Sequence, residues 1–184
     1  MKYLGKWWSV PVFLGVAALA SGQPLAERRV ELDGETLHYS MRAFAPGAHV
    51  AGPEAGLEPS SALNTARLLN KYLTSGDVED AALLSNSPRR RFEVLRDYKG
   101  SVGEEDFRQV YTQYFDPKNR LVAEVIVDAH SLLVWHLRES NRYAGQYYVQ
   151  VEGKVLIDDV PSEARLRLRR ILEAIRIGKI PLPI

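Results

Sequence analysis

Leu121-Val122-Ala123-Glu124-Val125-Ile126-Val127-Asp128 opens residues 120–159, where strand-like segments follow one another with almost nothing between them: Leu121 to Asp128, Ser131 to Arg138, Tyr143 to Val151 and Lys154 to Asp158. Their Val, Ile, Leu, Tyr and Trp suit a pleated, half-buried surface. Glu152-Gly153 supplies a two-residue hairpin turn and Glu139 to Arg142 a longer one. Ala129-His130 is poor chemistry for a tight turn. An unbroken strand from Leu121 to Arg138 would stretch about 60 Å, however, so a turn or bulge must interrupt it. The apolar run Leu132-Leu133-Val134-Trp135 predicts a strand covered on both faces.

Upstream the periodicity is helical. Ser60 or Ser61 caps a helix with Leu63, Ala66, Leu69 and Leu73 on one stripe and Gly76 as its stop. Asp77 caps a short helix through Leu84, and Ser87-Pro88 starts a third that ends at Gly100. A fourth runs from Gly103 or Glu104 to Phe115. Downstream, Ser162 opens a last helix through Ile177, with Leu168, Ile171, Leu172 and Ile175 on its apolar side. Arg29 to Phe44 reads as a hairpin about Asp33-Gly34, too small to stand without support, and residues 45–59 as a Pro- and Gly-rich loop. Helices ahead of consecutive strands predict an α+β fold with an antiparallel sheet packed on the N-terminal helices, plus an added N-terminal β-hairpin and a C-terminal helix.

The chain begins with Lys2 and Lys6, an apolar run from Trp7 to Ala20, and the small residues Ala18, Ala20 and Gly22, the pattern of a cleaved export signal. That run is short for a membrane span and contains Pro11. The expected organisation is a signal peptide over residues 1–22, hairpin and linker over 23–59, and an α+β domain over 60–184. The expected location is periplasmic or secreted, with no stable membrane span after cleavage. Loss of Lys2 and Lys6 leaves 22 basic against 23 acidic residues, so no global charge draws the protein to nucleic acid. There is no cysteine, hence no disulfide framework and no lipid-attachment cysteine.

A capped helix, further helices, then strands ending in Tyr147-Tyr148-Val149-Gln150-Val151-Glu152-Gly153-Lys154-Val155-Leu156-Ile157-Asp158 resembles the NTF2-like superfamily, the relatives of nuclear transport factor 2, SnoaL and ketosteroid isomerase, over residues 60–159. The resemblance implies a cone-like curved sheet around a long helix, often over an apolar pocket, and a homodimer formed through the open sheet face. The sequence departs from the family's pattern where Val155 or Leu156 stands in place of a tryptophan, and in having no strand hairpin between its early helices. The superfamily holds enzymes and non-catalytic modules alike.

No zinc, calcium, P-loop, dinucleotide or Gly-x-Ser-x-Gly pattern occurs, so neither metal nor cofactor is expected. Asp128, His130 and Ser131 are close in sequence but in the wrong order to converge as a triad; a solvated turn is the plainer reading. An isomerase or lyase would need a buried acid with a tyrosine, drawn from Asp97, Asp106 or Asp128 and Tyr72, Tyr98, Tyr111 or Tyr114. No carboxylate is flanked by sequence apolar enough to bury it, and Asp128 is the best of the set. An aromatic set without catalytic partners points to a pocket of Tyr72, Tyr111, Tyr114, Trp135 and Tyr148 for a small apolar ligand. Arg165, Arg169, Arg170 and Arg176 make the last helix basic, a surface for an envelope protein or polymer. Arg89 to Arg91 at a helix start oppose the helix dipole and are more informative still. The function expected is an exported, non-catalytic binding or assembly module; the alternatives are the isomerase and an envelope scaffold working through the basic helix.

Overall fold

The computed structural model describes residues 24–50 and 56–182. The expected export signal, five residues of the linker and the last two residues lie outside that range. The strands are β1 (Ala26–Leu32), β2 (Glu35–Ala43), β3 (Arg120–Val127), β4 (His130–Leu137), β5 (Arg142–Val151) and β6 (Lys154–Ile157). The helices are α1 (Ala62–Ser75), α2 (Val78–Leu83), α3 (Pro88–Val102), α4 (Glu104–Tyr114) and α5 (Glu163–Arg176). The fold is α+β: one open, fully antiparallel sheet in the order β1-β2-β3-β4-β5-β6. No described helix is long and apolar enough to cross a membrane.

Two-residue turns set the registers. Leu32 pairs with Glu35 across Asp33-Gly34, and Val151 with Lys154 across Glu152-Gly153, all four turn residues at positive φ. The join expected near Asp128 is as tight, Val127 pairing with His130, because Asp128 itself takes a φ of 53°. The hairpin finds its support in the sheet, β2 pairing with β3 from Ser40↔Ile126 to Ala43↔Ala123. Its two strands therefore extend the same sheet as the late block.

Strand β4 is sandwiched. Leu133 and Trp135 enter a core with α1 to α4, whereas Leu132 and Val134 enter a second core with α5. A bulge between Leu121 and Ala123 switches the parity of β3, so Leu121 meets the first core and Ala123, Val125 and Val127 the second. Ser61 caps α1 through the Asn64 N–H (3.2 Å), and Gly76 ends it at a φ of 80°. The third helix runs through Gly100 to Val102, beyond its expected stop, and Gly103 (φ 87°) ends it instead.

The sheet's two edges differ. Outside β6, the Val155 N–H donates to Pro59 O (2.7 Å), the Ile157 N–H to Leu84 O (2.7 Å), and the Asn86 N–H to Ile157 O (3.0 Å). The Thr65 hydroxyl of α1 donates to Val155 O. Outside β1 no backbone–backbone hydrogen bond is made to any other described residue, and only the Leu32 carbonyl at its end is reached by a side chain, that of Arg170.

Candidate functional site

At the end of β6 the two helical layers meet. Asp158 and Asp159 follow the last strand, α3 starts beside them after Asn86-Ser87, and α5 starts three residues further on behind Ser162. Asp159 accepts two hydrogen bonds from the Arg91 guanidinium (2.6 and 2.8 Å) and one from the Ser85 hydroxyl (2.6 Å). Its own N–H donates to Asn86 Oδ1 (2.8 Å), and Asn86 Nδ2 donates to Asp158 Oδ1 (2.9 Å). Burial alone would raise the Asp159 pKa, but the Arg91 bonds and charge, helped by Ser85, hold it below the ordinary carboxylate value.

His130 reaches the same seam from β4. Its Nε2 lies 3.2 Å from Ser162 Oγ and 3.8 Å from Asp158 Oδ2. A hydrolytic triad places acid and nucleophile on opposite ring nitrogens. Here both stand at Nε2, Nδ1 is buried without a partner, and the Ser162 hydroxyl is engaged as the α5 cap, accepting the Arg165 N–H at 3.1 Å. The cluster ties helices to sheet and has no free nucleophile.

Beside it opens a cavity of about 210 Å³ lined by Arg90, Arg91, Val94, Leu95, Asp159 and Arg165. Asp159 neutralises Arg91. Arg165 lies over the Tyr147 ring, 5.4 Å from its centroid, and its charge also favours the ionised Asp159 carboxylate, but neither it nor Arg90 forms an ion pair with a carboxylate among the described residues. Helix α3 adds to the positive field: no acid stands in its first turn and the Ser87 side chain caps none of its N–H groups. The geometry offers a positive recess for an anion.

The five aromatic residues expected to line a pocket all belong to the core on the α1–α4 side. Tyr114 sits 6.4 Å from Trp135 by ring centroids, and Tyr111 joins Tyr98 and Phe107. Trp135 and Tyr148 have essentially no solvent exposure, and the Tyr148 hydroxyl donates to Gln146 Oε1 (2.6 Å). Burial raises the pKa of Tyr111 and Tyr114, and raises that of Tyr148 well above the ordinary value. Tyr114 borders an open groove, about 320 Å³, with Val110 and Leu137. Tyr72 is partly buried against the same core, its ring facing Lys71.

The basic helix divides. Arg170 is tied to Glu35 and to Leu32 O (2.8 Å), and Arg176 to Tyr143 O (2.9 Å) and Glu173 (2.6 Å). These two fasten α5 to the sheet. Arg169 borders, with Arg170, Leu166 and Ile177, an open groove of about 600 Å³ near the β1–β2 turn. Arg165 alone joins the Arg90–Arg91 recess.

Asp97, Asp106 and Asp128 are exposed; Asp97 pairs with Arg96. The expectation that no carboxylate is buried is corrected by Glu124 and Asp158, at 4% and 2% exposure. Glu124 stands inside the otherwise apolar run from Leu121 to Val127 in β3, the setting of a strand covered on both faces. It faces Arg42, its direct cross-strand partner, whose Nε donates to it at 2.7 Å. No three His, Cys, Asp or Glu side chains gather among the described residues to hold a metal ion. Compared with family models, curated proteins and solved structures, the chain matches none.

Proposed function

We propose that this protein is a non-catalytic binding module that holds an anionic group of its partner in the recess between the starts of α3 and α5. One observation carries the reading: the Arg89 to Arg91 run and the basic C-terminal helix, 74 residues apart between Arg91 and Arg165, share one cavity. An arginine run at a helix start is unfavourable until an anion arrives. With Arg90 and Arg165 unpaired, that anion gains charge-assisted hydrogen bonds at little cost in broken ion pairs. The export-like N-terminus assigns the module to the periplasm or the cell exterior, where an acidic envelope polymer or protein is the partner. The NTF2-like reading is kept as part of this proposal. It is supported by helices that precede consecutive antiparallel strands; the missing strand hairpin between the early helices departs from it, and the β1–β2 hairpin and α5 are additions to it. An isomerase reading is disfavoured because the acids it would draw on, Asp97, Asp106 and Asp128, are all exposed, outside the apolar surroundings that such a site needs.

The test is titration of the purified protein with pyrophosphate and with polyglutamate, read by calorimetry at two salt concentrations. Binding that weakens with salt is expected, with Arg90→Ala and Arg165→Ala each losing about tenfold. Arg142→Ala, an exposed arginine on β5, leaves it unchanged. No binding of either probe, or an equal loss in the Arg142 variant, would overturn the reading.

A further inference from the structure

The open edge of the sheet points to a second partner, another copy of this chain. An edge strand exposes a row of unpaired backbone groups, which proteins cover, charge or pair. This protein covers β6 with its own loops and leaves β1 bare among the described residues. Because Asp33-Gly34 closes a two-residue hairpin at the Leu32↔Glu35 pair, hydrogen-bonded and non-bonded pairs alternate from there. Ala26, Arg28, Val30 and Leu32 therefore bond to β2, whereas Glu27, Arg29 and Glu31 turn their N–H and C=O groups outward.

Two copies of β1 related by a two-fold axis can pair only in registers that match outward residues with outward residues, that is, centred on a residue. Charge sorts the candidates, since like charges directly opposite destabilise a ladder and unlike charges support it. Centring on Glu27, Arg28, Arg29 or Glu31 sets that residue against its own copy, like charge on like. Centring on Val30 opposes Val30 to Val30, Arg29 to Glu31 twice by symmetry, and Arg28 to Leu32, with no like pair from Arg28 to Leu32; the one like pair, Glu27 with Asp33, falls beyond the strand end at the exposed β1–β2 turn. Val30 already packs against the core under α5, so its copy would lengthen that core across the axis. We infer that this protein forms a homodimer by antiparallel pairing of β1 with β1 centred on Val30, joining two six-stranded sheets into one of twelve strands.

Sedimentation equilibrium of the full chain over a concentration series tests this. A monomer–dimer equilibrium is expected for the wild type. Arg29→Glu and Glu31→Arg each turn two attractive pairs into two repulsive ones and weaken it by roughly tenfold or more. The double swap Arg29→Glu/Glu31→Arg restores dimerisation, which a merely structural effect of either change would not do. With no native cysteine, Val30→Cys gives a second readout. Non-bonded antiparallel partners have Cα atoms about 4.5 Å apart, within disulfide reach, so it cross-links on oxidation, while Arg28→Cys, opposite Leu32, does not. A wild type monomeric throughout, a dimer indifferent to both reversals, a double swap that stays monomeric, or cross-linking through position 28 in place of 30 would each overturn the proposal.

Discussion

The two faces of the sheet solve the same problem with different means. On one face four helices leave a deep space, filled by large rings: Trp135, Tyr148 and Phe107 are wholly buried, with Tyr98, Tyr111 and Tyr114 around them. On the other, among the described residues, α5 alone supplies Leu168, Ile171, Leu172 and Ile175; the strands answer with the larger Leu37, Tyr39, Met41 and Leu132 and with the small Ala123, Val125, Val134 and Gly145. A lone helix buries enough surface only by coming close, which demands small residues beneath it. The first face is thus filled largely by aromatic rings, and the second chiefly by aliphatic side chains, with Ala123 and Gly145 letting the helix in closely. The recess for an anion lies where the layers touch, α3 from one and α5 from the other.

Cutting Trp135 to alanine attacks the deep face and has the largest expected effect, about 3–5 kcal/mol of lost stability in urea unfolding. Its neighbour Val134, cut to alanine, removes fewer atoms from the close-packed face and costs less. Equal losses would mean that the two faces are not filled differently. The second test works by addition. A Cβ at Gly145 would come within 2.6 Å of Leu132 Cδ1 and 2.7 Å of Leu172 Cδ2. Both contacts are with terminal methyls of buried leucines, which must shift within the core to make room. Gly145→Ala should therefore destabilise by about 1–3 kcal/mol, against the gain in strand propensity that alanine brings on an open strand. Leu172→Val in the same chain should recover part of that loss, a coupling that a double-mutant cycle reads directly. A neutral or stabilising Gly145→Ala would show that the helix does not approach as closely as this packing requires.

Much of the architecture is legible in local chemistry. The four-residue apolar run in β4 foretells two covered faces; Asp33-Gly34 and Glu152-Gly153 foretell tight turns; Ser61, Asp77 and Ser162 mark helix starts, and their side chains do cap them. What escapes local reading is contact between distant segments. Nothing in Arg29 to Phe44 says that its second strand pairs with a strand over 80 residues later. Gly145 reads as a weak point in a strand until a helix is laid over it. The site shows the same limit. Both arginine clusters are visible as charge, but only the shared end of the sheet brings Arg90 and Arg91 to Arg165, and only the network of Ser85 and Asn86 explains Asp158 and Asp159. Glu124 is a different case, legible without any distant contact: a run apolar at every other position from Leu121 to Val127 marks a strand covered on both faces, so the one acid within it is buried as well.

The smallest expected effect concerns Asp159, which belongs to neither face but to the seam between them. Burial disfavours its charge, yet the Arg91 fork and the Ser85 hydroxyl more than offset that, so its carboxyl titrates below its unfolded value. A group depressed on folding stabilises fully above its unfolded pKa, about 3.9 for aspartate, and loses that contribution as pH falls through the folded value. An asparagine in its place would keep the shape and lose the charge. Asp159→Asn should therefore cost about 1 kcal/mol at neutral pH, as expected for a partly exposed ion pair, and the gap to wild type should close as acid protonates Asp159. Denaturant unfolding of both proteins from about pH 7 down through the carboxylate range checks this. The same substitution leaves Arg91 unpaired beside Arg90 and Arg165, so pyrophosphate should bind more tightly even as the fold weakens. Stability and anion affinity moving in the same direction would mean that Asp159 shapes the recess rather than opposing its charge.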